Sequence, residues 1–168
     1  DASFLHQPYD GQKQWDFGVE VITKFGYPWQ RGRQDKAPHP FTTEMGLDDV
    51  RITTRILPEY AGSALFSTMH ECGHALYNLG VDPALARTPL GFPNSLVLHE
   101  SQSRMWENLV GRSLPFWEYF YPVLKKYFPS QLNGVSLEKF YKGINQVAPS
   151  LIRVEADEAT YNLHIMLR

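Results

Sequence analysis

His70-Glu71-Cys72-Gly73-His74 is an H-E-x-x-H pentapeptide inside a stretch with helical character. On an α-helix, residues four apart lie on one face, one turn above the other. His70 and His74 can therefore direct two imidazoles at a single metal ion. Glu71 is adjacent to the first of them and within reach of a water on that metal, whose proton it can take. Two imidazoles and one carboxylate suit zinc. Such a set with an open fourth position is a catalytic arrangement. The pentapeptide also arises by chance in unrelated helices, so the reading needs a third ligand.

Glu100, in His99-Glu100-Ser101-Gln102, is the preferred source. It follows His74 at a distance that lets the chain turn and return as a second helix. His99 and Gln102 crowd polar groups around it, as the outer shell of a metal site requires. Glu107, further along the same segment, is the alternative ligand. The plain reading of Glu100 is a surface pair with Arg104 at i, i+4, which stabilises a helix by only a few tenths of a kcal/mol.

These side chains need elements to hold them. Glu59–Leu79 reads as the helix that carries the pentapeptide, and Leu96–Arg112 as the returning helix. Gly80, Pro83, Pro89, Gly91 and Pro93 break the chain between them into a loop. Trp15, Val19, Ile22 and Phe25 at helical spacing place an earlier helix over Gln12–Phe25. Gly26–Pro40, rich in Gly, Pro and charge, reads as a loop. Val50–Ile56 is a β-favouring run that Pro58 ends. A single strand needs a partner, for which Asp35–Thr43 is the best source. Further helices are expected at Leu114–Tyr127, Ser136–Val147 and Leu151–Arg168. The fold class is thus mainly α with a small β element.

Composition narrows the class of function. The 168 residues suit one domain, and an apolar content of 43% is enough for a core. The net charge of −2, without a long basic run, argues against a nucleic-acid partner. Apolar runs are too short to span a membrane. No signal peptide is visible, and the one cysteine, Cys72, has no internal disulfide partner. Both favour a reducing cytoplasm. Cys72 is two residues from His70, a rotation of about 200° on a helix. It therefore faces away from the metal side and reads as a small core residue.

Other constellations admit two readings each. Arg153, Asp157, Tyr161 and His164, at spacings of four, four and three, form one polar stripe on the last helix. A solvated face is the ordinary explanation of such a stripe. A guanidinium fork that Asp157 could hold in place also matches a carboxylate bidentately. His39, between Pro38 and Pro40, has a stiff, extended backbone and is ordinarily structural or exposed. Asp49 and Arg51 share one face of the predicted strand. A pair that fixes the strand is the main reading there, with substrate contact second. Trp106, Trp117 and Tyr119–Tyr121 read as packed core.

Taken together, HECGHALY, LHESQSRMWEN and IRVEADEATYNLHIMLR resemble the thermostable metallocarboxypeptidase family, distant relatives of angiotensin-converting-enzyme-type zinc peptidases. His39-Pro40-Phe41 and Asp49-Val50-Arg51-Ile52-Thr53 fit the same family. The resemblance runs from about residue 20 to the end. It implies a helical zincin-like (gluzincin) core, with His70, His74 and Glu100 as ligands and Glu71 as the base. It also implies zinc, with cobalt able to replace it, and a peptide substrate; a homodimer is a candidate assembly. The substrate pocket it implies contains Arg153, at the terminal carboxylate, and His39, Arg51, Tyr161 and His164. Family members run to several hundred residues, and a later Asp-x-His-Trp motif is absent here. The chain begins without methionine and ends within a helical pattern. Residues 1–168 are therefore read as the central part of a longer catalytic domain.

The expected activity is metal-dependent release of C-terminal amino acids. A zinc endopeptidase or dipeptidase, or an inert metal-binding fragment, are the rivals. Arg153 separates the first pair. A peptide with a free C-terminal acid is expected to react better than its amide by roughly 2–5 kcal/mol in transition-state binding. The gap should close in Arg153→Ala, and lysine at this position should restore little of it. Hydrolysis of one peptide in both forms by the intact protein checks this. Equal cleavage by wild type would instead identify an endopeptidase.

Overall fold

The computed structural model describes residues 2–92, 95–148 and 166. The expected last helix, Leu151–Arg168, lies outside the described residues apart from Met166. Helix α1 (Gly11–Lys24) starts where the Asp10 side chain accepts a hydrogen bond from the Lys13 backbone N–H. Three strands follow: β1 (Gly32–Lys36), β2 (Thr42–Gly46) and β3 (Asp49–Thr54). Helix α2 (Ala61–Leu79) carries the pentapeptide. After turns at Pro83–Leu85 and Pro89–Gly91 come α3 (Leu96–Arg104) and a π-helical segment, Met105–Val110. Helices α4 (Leu114–Tyr127) and α5 (Leu137–Ile144) follow, each capped at its start by a serine hydroxyl, Ser113 and Ser136.

The sheet has the order β1-β3-β2, with β1 parallel and β2 antiparallel to β3. The predicted strand over 50–56 is thus the central one. Its predicted partner, Asp35–Thr43, spans the end of one neighbour and the beginning of the other. Strand β1 lies in a stretch read from composition as a loop. Its one buried residue is Gln34, so no alternation of apolar side chains marks it. Instead the Gln34 amide donates to Thr54 Oγ1 (2.7 Å) and to Thr68 Oγ1 on α2 (3.3 Å). The two threonine hydroxyls are 2.7 Å apart. This polar ladder ties the sheet to α2.

Helix α2 is packed on both sides, and most of its residues are buried. Leu65, Phe66 and Met69 join an aromatic-rich cluster with Phe17, Trp117, Phe120, Tyr121 and Phe140. On another side, Cys72, Ala75 and Leu79 pack with Val50, Ile52, Ile22 and Tyr27. Cys72 is fully buried, as expected of a core residue, and burial pushes its thiol pKa up. Of the expected aromatic core, Trp117, Phe120 and Tyr121 are buried. Trp106 packs on Phe25 with ring centroids 4.4 Å apart, and Tyr119 is exposed.

Helix α3 crosses α2 closely. A Cβ placed on Gly73 would meet Ser103 Cα at 2.7 Å and the Gln102 carbonyl oxygen at 2.9 Å. Only glycine permits this approach, because backbone atoms cannot give way as a flexible side chain can. Gly18 of α1 differs: a Cβ there would meet the Thr68 side chain no closer than 3.6 Å. Gly73→Ala is therefore expected to destabilise the protein by about 1–3 kcal/mol through overpacking. Gly18→Ala should be neutral, or stabilising by up to about 1 kcal/mol from helix propensity. Denaturant midpoints of the two variants check the contrast, and equal midpoints would refute the close contact.

Candidate active site

The pentapeptide lies in the middle of α2, where neighbours surround both histidines. His70 Nε2 and His74 Nε2 are 3.1 Å apart. Glu100, on the first half of α3, brings Oε1 to 3.6 Å from His70 Nε2 and Oε2 to 3.4 Å from His74 Nε2. Ligand atoms about 2.0–2.2 Å from a tetrahedral centre sit roughly 3.3–3.6 Å from one another. The three observed separations bracket that range, so the residues fit a zinc-type ion. Among the described residues, His70, His74 and Glu100 form the one such group able to hold a metal.

Each ring is held from behind. His70 Nδ1 is 2.8 Å from Glu107 Oε2, which also accepts a 2.9 Å ion pair from Arg104 Nη1. Glu107, named from the sequence as an alternative ligand, thus contacts His70 at Nδ1, on the side of the ring away from Glu100. It gets there on the π-helical segment; the sequence had suggested an uninterrupted helix over 96–112. Such π turns frequently mark functional sites. His99, expected beside Glu100, is instead hydrogen-bonded to His74: the two Nδ1 atoms are 2.5 Å apart. His99 Nε2 faces Asn78 Oδ1 at 2.9 Å.

Glu71 is 7% exposed, and its carboxylate does not belong to the ligand group. Thr42 Oγ1 donates to Glu71 Oε2 (2.6 Å) and to the Glu71 carbonyl oxygen (3.1 Å). Burial raises the Glu71 pKa, while the Thr42 hydrogen bond opposes the rise. Burial also works against the charged form of Glu107, but its contacts with His70 and the charge of Arg104 hold its pKa below the ordinary value. Burial opposes a charged His70 as well. Glu107 outweighs this and moves the His70 pKa up in the absence of metal. Glu100 is held low, first by its contact with His74.

Thr42 and Asn78 are the polar groups here that sequence reasoning did not single out, and Arg104, read from the sequence as a partner of Glu100, pairs with Glu107. Asn78 had a local signal, being one turn beyond His74 on the same helix. Thr42 had none, because its contact with Glu71 crosses from strand to helix. His39 is not among the residues brought together: it is exposed on the loop before β2, with Nδ1 on the Pro40 carbonyl oxygen. Arg51 is also outside the group, on the sheet. It forms a two-pronged pair with Asp49 (Nε–Oδ1 2.9 Å, Nη2–Oδ2 2.7 Å), as the strand-fixing reading expects. Arg153, Asp157, Tyr161 and His164 lie outside the described residues. No described helix is long and apolar enough to cross a membrane.

Comparison with known proteins agrees with this geometry. The family described as Carboxypeptidase Taq (M32) metallopeptidase matches residues 1–168. The chain is similar to thermostable carboxypeptidase 1 of Thermus thermophilus, with 52% identity over 100% of this chain and 33% of that protein. It is similar to carboxypeptidase 1 of Bacillus subtilis, with 42% identity over 100% of this chain and 34% of that protein. Among solved structures it resembles the M32 carboxypeptidase of Deinococcus radiodurans R1. There the TM-score is 0.94 and the identity 51%, over 98% of this chain and 33% of the other. The chain thus spans about a third of the length of the curated relatives it matches.

Proposed function

This chain belongs to the Carboxypeptidase Taq (M32) metallopeptidase family, and from that premise we propose that it carries the metal-dependent core of a carboxypeptidase. The reaction is release of C-terminal amino acids from peptides. One observation carries the reading: two imidazole nitrogens and one carboxylate converge at metal-ligand spacing beside a buried fourth group, Glu71. A structural zinc site needs no such base.

In this reading His70, His74 and Glu100 hold a zinc ion, which cobalt can replace. The bound ion supplies Lewis acidity, making water nucleophilic near neutral pH and polarising the scissile carbonyl. Glu71 takes the proton of the attacking water and delivers it to the leaving amine as the C–N bond breaks. Its environment suits the task, because a buried carboxyl with a raised pKa is a better proton acceptor near neutral pH. Thr42 leaves it one oxygen for this role by donating to the other. Arg153 would hold the free C-terminal carboxylate of the substrate, and Tyr161 or His164 would donate to the oxyanion. His39 and Arg51 are secondary candidates for substrate contact. The lone, buried Cys72 is compatible with a reducing cytoplasm.

Two substitutions separate ligand from base. Glu100→Ala in the intact protein is expected to lose both metal and activity. Glu71→Gln is expected to keep the metal and lose turnover by on the order of 10²–10⁴-fold. Metal content and peptide hydrolysis measured on the same preparations check both. A metal-loaded Glu71→Gln protein with wild-type turnover would remove Glu71 from the mechanism. Full metal content in Glu100→Ala, with loss in Glu107→Ala, would transfer the third ligand to Glu107.

A further inference from the structure

A histidine can offer a metal only a ring nitrogen that carries no proton, so its other nitrogen must hold the N–H. For His70 the acceptor is a carboxylate: Nδ1–H points at Glu107, leaving Nε2 bare. For His74 the facing atom is His99 Nδ1, a second imidazole nitrogen. Two facing ring nitrogens share a single proton, so either could be the donor from this contact alone.

The next link decides. His99 Nε2 is 2.9 Å from Asn78 Oδ1, and an amide oxygen only accepts. The His99 proton therefore sits on Nε2, and its Nδ1 is a bare acceptor. His74 must then carry its proton on Nδ1 and present an unprotonated Nε2. That nitrogen faces His70 Nε2 and Glu100. The chain is fixed in space as well as in tautomer. Asn78 is 4% exposed, and the Tyr77 ring stands edge-on to His99 at 5.2 Å between centroids.

We propose that His99, itself set by Asn78, is the positioning residue that fixes the tautomer and ring orientation of His74 for metal binding. This rests on the reading of His70, His74 and Glu100 as a metal centre. The two ligands are consequently unlike. His70 is backed by an anionic acceptor, and His74 by a neutral one that adds no charge to a site already holding Glu71, Glu100 and Glu107.

The test is zinc affinity by competition with a chelator, together with the visible absorption of the cobalt-loaded intact protein. His99→Leu is expected to weaken zinc by about 10–100-fold and to alter the cobalt spectrum. His99→Gln, whose amide oxygen can accept from His74, should recover most of the affinity and the spectrum. Asn78→Asp, which can only accept, should retain both. Three results would overturn the proposal: wild-type affinity and spectrum in His99→Leu, a glutamine variant no better than leucine, or a loss in Asn78→Asp as large as in His99→Leu. Should His99→Leu fail to fold, Asn78→Leu carries the test. It removes the acceptor that orients His99, and unchanged affinity there overturns the proposal. A wild-type protein that takes up no zinc overturns the metal reading as well, which distinguishes the two failures.

Discussion

The contact between the backbones of α2 and α3 is the constraint on which the site depends. Two histidines on one helix are within the reach of local sequence, but the third member of the proposed ligand set, Glu100, must be delivered by a different element. Delivery to within 3.6 Å of both imidazoles requires the second helix to lie almost against the first. Gly73 permits that. It lies between Glu71 and His74, at the point where Ser103 and Gln102 of α3 leave no room for a Cβ. Glycine inside a helix costs about 0.5–1 kcal/mol relative to alanine. The gain is a crossing that any larger residue would open.

Close helices bring charge together, and the outer groups answer that. Glu71, Glu100 and Glu107 surround two imidazoles, and Glu71 and Glu107 are largely buried. Like charges that close raise each other's proton affinity, as Glu100 does to Glu71. Arg104 and His70 counter the charge of Glu107. A divalent cation among these groups would offset the rest, which couples metal binding to the stability of this region. The neutral His99–Asn78 pair behind His74 avoids adding a further anion where the site already has three.

Much of this was legible where the signal is local. The pentapeptide, the helix carrying it and the buried Cys72 depend on spacing within a few residues. Glu100 could be chosen over Glu107 because His99 and Gln102 flank it, although the structure gives His99 a different partner from the one this suggests. What was hidden depends on contacts distant in sequence or on irregular backbone. Strand β1 has a glutamine as its one buried residue, so it shows no alternation of apolar side chains. The π-helical segment has no compositional mark, and it is what carries Glu107 to the back of His70. Thr42 looks like any strand threonine until the strand meets α2.

That meeting also explains why a small sheet accompanies a helical site. The strands touch α2 at two levels with different chemistry. Two turns into the helix, at Thr68, Gln34, Thr54 and Thr68 form a buried hydrogen-bonded ladder, whose members would be costly to leave unpaired. One turn further on, Thr42 of β2 binds both the carbonyl and the carboxylate of Glu71. Among the described residues β2 is an edge strand, paired with β3 alone, so its position is less determined by the sheet than that of the central strand. The helix supplies the missing constraint. A hydroxyl that bonds main chain and side chain of one residue fixes the strand against the helix and selects the carboxylate oxygen left free. The rotamer of Glu71 is therefore set by the sheet, while the histidines beside it are set by α3, the π-helical segment and Asn78. The proposed base and the two proposed histidine ligands share one helix, yet different parts of the fold hold them in place.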